Sequence, residues 1–101
     1  MKLTDLNPTF YGAGPVDNEG KLTRRGVGLI FDCPCGECGR LCAIGFRNPI
    51  DGGPPLDTDR PLWQRTGEDL ETLTLTPSIH RSGPDSCGWH GFITNGEVTS
   101  V

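Results

Sequence analysis

Five cysteines and two histidines hold most of the chemical potential of this 101-residue chain, and their spacing is not random. Cys35-Gly36-Glu37-Cys38-Gly39 is a Cys-x2-Cys pair followed by glycine, and Cys87-Gly88-Trp89-His90 is a Cys-x2-His pair. A two-residue spacer lets a tight turn present both side chains to one point, and tetrahedral zinc takes four N or S donors at ~2.0–2.3 Å. Gly36, Gly39 and Gly88 permit the left-handed backbone such turns use. Cys33-Pro34-Cys35 adds a third thiolate to the first turn. Cys33, Cys35, Cys38, Cys87 and His90 are therefore the candidate ligands of one structural Zn2+, and which four of the five bind is left open. Disulfide frameworks use even counts and dispersed spacing in oxidising compartments, and this clustered, odd set fits neither.

Other reactive groups read more quietly. Cys42 alternates with Ile44 and Phe46 on an apolar face, which makes it a core thiol. His80, beside Arg81 in a turn, reads as a solvated surface group. Ser78 and His80 lie close in sequence, yet the pair has no orienting acid and no nucleophile elbow. The His-x-Glu of nucleobase deaminases is missing. Asp51, Asp57 and Asp59 lack the calcium-loop pattern and read as a solvated acidic loop. A catalytic zinc keeps one open position. Because the candidate donors exceed four, the expectation is a closed site and no enzyme. Glu37, the only acid inside either ligand pair, belongs to a tight turn where it faces solvent.

The elements that must position these groups are short strands. Val27, Leu29 and Phe31 alternate, as do Cys42, Ile44 and Phe46, which predicts two strands joined by the cysteine turn into a hairpin. Residues 63–66 suit a short strand. Leu73 and Leu75 alternate with threonines in a strand that Pro77 should stop. Asn95-Gly96 between two β-favouring runs is a hairpin signal, because a type I′ turn needs positive φ at both central residues. Its register pairs Thr94 with Glu97 and Ile93 with Val98. Residues 47–61 hold too much proline and glycine for regular structure. The fold class is all-β: a small antiparallel sheet of hairpins clamped by zinc, with an irregular arm over residues 1–25, a single zinc-binding β domain over 26–101, and a long Pro/Gly loop.

Composition bounds the function. Fifteen glycines and nine prolines with 34% hydrophobic residues leave a thin core, and small cores commonly use a metal as a staple. Nine basic against thirteen acidic residues, net −4, argue against a sequence-independent grip on nucleic acid. No stretch approaches the ~20 apolar residues of a membrane span, and the first residues show no signal-peptide core, so the expected location is cytoplasmic.

Three motifs together carry a resemblance: Cys33-Pro34-Cys35-Gly36, then Leu73-Thr74-Leu75-Thr76-Pro77-Ser78-Ile79, then Cys87-Gly88-Trp89-His90-Gly91-Phe92-Ile93-Thr94-Asn95-Gly96-Glu97-Val98. Over residues 26–101 the chain resembles an uncharacterised family of small zinc-binding proteins of bacteriophages and prophages. Its members often go under the name ammonia monooxygenase, a membrane-embedded activity for which this chain has no span. The family pattern reads Cys-Pro-Cys-Gly-Cys, whereas Glu37 precedes the third cysteine here. Related domains also occur beside bacterial ubiquitin-like conjugation components, which implies an accessory role.

The expected function is therefore a zinc-stabilised phage or prophage accessory protein that acts as a protein-interaction module. Its partner would be a host or phage protein, with Trp63 and Trp89 as contact candidates or core packing. The alternatives are a small zinc-dependent hydrolase and a nucleic-acid-binding zinc ribbon using Arg24, Arg25, Arg40 and Arg47.

Overall fold

A computed structural model describes residues 1–81 and 87–101. After a short 3-10 turn, Leu3–Leu6, come strands β1 (Thr9–Val16), β2 (Leu22–Asp32), β3 (Leu41–Phe46), β4 (Leu62–Thr66), β5 (Thr74–His80), β6 (His90–Thr94) and β7 (Glu97–Ser100). They form one seven-stranded sheet in sequence order. The protein is all-β.

Strand alternation explains which face is buried. Val27, Leu29 and Phe31 of β2 and Phe46 of β3 are fully buried, and Cys42 and Ile44 are nearly so. The sheet curls so that Leu29, Phe31, Cys42, Ile44 and Phe46 meet Leu73, Leu75, Ile79, Ile93 and Val98 from its other end. On β3 the side chains of opposite parity, Leu41 and Ala43, face solvent. Leu3 and Leu6 add to the core from the 3-10 turn. The cysteine turn joins β2 to β3 in an antiparallel hairpin that pairs Phe31 with Cys42 and Leu29 with Ile44. The Asn95-Gly96 turn gives the expected register, Thr94 with Glu97 and Ile93 with Val98. Both turn residues have positive φ, 50° and 75°, and a Cβ on Gly96 would collide with the Glu71 carbonyl.

Two expectations are corrected. The first 25 residues are not an irregular arm throughout, because β1 pairs antiparallel with β2. Register shifts between Tyr11 and Ala13 and between Ala13 and Val16 break the side-chain alternation that would have announced a strand. Nor does Pro77 stop β5, which runs on to His80. Pairing with β4 ends at Thr76, and pairing with β6 passes from Leu75 to Ile79 across an irregularity. Pro77 thus sits where neither ladder asks for its missing N–H.

Residues 47–61 form no strand. The loop is anchored at Asp51, whose carboxylate accepts from Arg24 Nε at 2.7 Å, and at Pro54, whose carbonyl accepts from Arg24 Nη2. It leads into the only parallel contact among the described strands, where β4 meets β3 through two pairs, Gly45 with Leu62 and Phe46 with Trp63. Among the described residues, no helix is long and apolar enough to cross a membrane.

Candidate functional site

The cysteine turn and the segment leading into β6 come together at one end of the sheet. The Sγ atoms of Cys33, Cys35, Cys38 and Cys87 all lie within 4.8 Å of one another, with Cys33 and Cys87 at 3.5 Å. Gly36, Gly39 and Gly88 have φ of 72°, 65° and 76°, as the turns that aim these thiols require. The amides of Glu37 and Cys38 both donate to Cys35 Sγ at 3.4 Å. These two N–H groups hold the Cys35 thiol down at about 6, so it is a ready thiolate. Burial pushes the Cys33 thiol up to about 12, a proton that a bound cation would displace. Arg81 Nη1 reaches Cys38 Sγ at 3.7 Å and offsets part of the charge of a four-thiolate set. The quartet can hold a metal ion.

Cys42 is buried in the apolar core and lies outside this group. His90 lies outside it too. Strand alternation is the reason: Trp89 turns inward and is buried, and its indole N–H donates to Ser100 Oγ at 2.9 Å. His90, the first residue of β6, therefore faces the opposite way.

On that outer face His90 meets a serine. Its Nε2 lies 2.9 Å from Ser78 Oγ. β5 presents Ser78 and His80 on one face by its two-residue period, and the ladder sets His80 opposite His90. The two imidazoles stack with centroids 4.8 Å apart and planes at 28°. Phe92, next on the same face of β6, lies 6.3 Å from the His90 ring. The Ser78 carbonyl accepts from Trp63 Nε1 at 3.3 Å, and the His90 carbonyl accepts from the Val101 amide at 2.8 Å. The backbone of each partner is thereby tied. A serine hydroxyl within hydrogen-bond reach of an imidazole is the arrangement of an activated nucleophile.

Residue reading had paired Ser78 with His80 and set it aside, and had given His90 to the metal. The missed signal is nonlocal. It needed the β5/β6 register, which brings a histidine 12 positions downstream onto Ser78.

Over residues 11–101 the chain matches the family described as bacterial ubiquitination-like system serine protease, BubE. It belongs to that family. No curated protein and no solved structure matches it significantly. Membership in the BubE family overturns the reading as a phage interaction module and the expectation of no enzyme. It lends nothing to a phage origin or to the ammonia monooxygenase name. The zinc-hydrolase and nucleic-acid alternatives fall with them. The physical reason is that Ser78 meets its imidazole across the β5/β6 ladder and not along the chain. Acyl transfer by a serine needs a base, not an ion, and in this chain the Ser–His pair and the sulfur quartet are separate groupings.

Proposed function

We propose that the chain is an acyl hydrolase of the serine-protease type, with Ser78 as nucleophile and His90 as general base. Its substrate is the acyl bond between the C-terminus of a ubiquitin-like protein and whatever that protein is joined to. The observation that carries this is the 2.9 Å approach of Ser78 Oγ to His90 Nε2. The substrate class follows from the family's description.

In the reaction, Ser78 Oγ attacks the carbonyl carbon and its proton passes to His90 Nε2. His90 returns that proton to the leaving oxygen or nitrogen as the old bond breaks, leaving the acyl group on Ser78. Water then attacks the acyl carbon, giving its proton to His90, which restores the Ser78 hydroxyl as the carboxylic acid departs. The stack on His80 fixes the ring plane of His90 during both transfers.

Zn2+ is the proposed ion at Cys33, Cys35, Cys38 and Cys87. Tetrahedral all-thiolate sets suit zinc or iron–sulfur centres, and a set closed by four protein donors supplies structure rather than an activated water.

The test is labelling of the purified protein with a fluorophosphonate. One equivalent is expected on Ser78, none on Ser78→Ala. No label, or label on another residue, overturns the assignment. Metal analysis of the same sample is expected to give one zinc per chain and no iron.

A further inference from the structure

Resting on that reading, we propose that the gap between β3 and β5 binds the substrate's tail as an added strand. β4 is short, and it pairs with β3 only at Gly45 and Phe46 and with β5 only at Thr74 to Thr76. Beyond those pairs, no strand among the described residues lies between the two edges. The phase of the β2/β3 ladder says which groups are open. Cys33 N donates to Arg40 O, so in the alternating antiparallel pattern Arg40, Cys42 and Ile44 turn their backbone groups to β2. Leu41 and Ala43 then turn theirs to the gap, where no described strand meets them. Across it run Ile79, His80 and Arg81.

The gap is a groove of about 280 Å³ lined by β3 from Leu41 to Ile44, by Arg60 and Trp63, and by Ile79, His80 and Arg81. Two of its walls touch the catalytic pair. Trp63, one of its walls, donates to the Ser78 carbonyl, and His80, another, stacks on His90. It is smaller than the ~300–1,000 Å³ of pockets for drug-sized ligands, so it takes main chain with small side chains. Among the described residues no carboxylate lines it, whereas Arg60 does, and this charge suits an acidic tail. The occupant is an extended, small-residue, acidic segment of the acyl donor, held chiefly by main-chain hydrogen bonds to Leu41 and Ala43.

The test compares p-nitrophenyl acetate with the p-nitrophenyl ester of succinyl-trialanine on the full chain. The peptide ester is expected to show at least a tenfold higher kcat/KM. A copy N-methylated at its backbone amides is expected to lose that advantage. Ala43→Pro, which removes one gap-facing N–H, is expected to lower kcat/KM for the peptide ester. Equal rates for the two esters, or no effect of N-methylation on the wild-type chain, overturn the groove. Absence of acetate turnover overturns the Ser78–His90 assignment instead, so the two failures are distinguishable.

Discussion

His90 stands close in sequence to a cluster thiol, yet its ring is spent on a hydroxyl. This separates two roles that one substitution can tell apart. His90→Ala is expected to keep the full metal content and to lose acyl turnover by about 10³-fold or more, as removal of a catalytic base does. Loss of the metal in that variant would return the histidine to the cluster. Cys42 makes the complementary case. Its sulfur is packed among Ile44, Phe46 and their neighbours, so Cys42→Ala is expected to cost about 1–2 kcal/mol in denaturant unfolding and leave the metal stoichiometry as it was. The four clustered sulfurs were legible only as four of five candidate donors, because two-residue spacers and flanking glycines are local properties that mark Cys87 and His90 alike. The Ser78–His90 pair was not, because it exists only through the pairing of β5 with β6.

At the scale of elements, turn chemistry was the most legible feature and strand continuity the least. Asn95-Gly96 announces its hairpin by composition, and the register follows from the two-residue loop. Gly96→Ala is expected to destabilise the protein by at least about 1–2 kcal/mol, because it places a side chain at positive φ against the Glu71 carbonyl. β1 and β5 were obscured because shifted pairings disrupt the alternation or shelter a proline, and neither leaves a mark in hydropathy. The loop anchor offers a pH test. The Arg24 guanidinium, with the Gly53 and Arg25 amides, holds the Asp51 carboxyl well below the usual carboxylate range. Since its folded value is depressed, its contribution is fully present above the unfolded value of ~3.9 and is lost progressively as pH falls from there through the folded one. A carboxyl titration followed by NMR is expected to show Asp51 still ionised at about pH 3, where an ordinary aspartate is mostly protonated. In Arg24→Ala that protection is expected to vanish.

The whole molecule is two antiparallel meanders, β1–β3 and β4–β7, met along two parallel pairs. The cysteine cluster bridges them, with Cys33, Cys35 and Cys38 on one side and Cys87 on the other. Structural zinc sites in small domains contribute on the order of 10 kcal/mol to the folded state. Chelation is therefore expected to lower the melting temperature by about 10 °C or more, read by calorimetry, and a shift of only a degree or two would deny the cluster this role. The narrow seam has another consequence. The connection between the meanders is an exposed, proline-rich loop, and exposed loop tips are where chains tolerate a break. Cut there, the protein becomes two fragments, one holding three of the cluster thiols and the other holding the fourth together with Ser78 and His90. Neither has a complete metal site or a complete core, so neither has reason to persist folded alone. Mixed, they form a complementation pair whose reassembly zinc should switch on and a chelator should reverse.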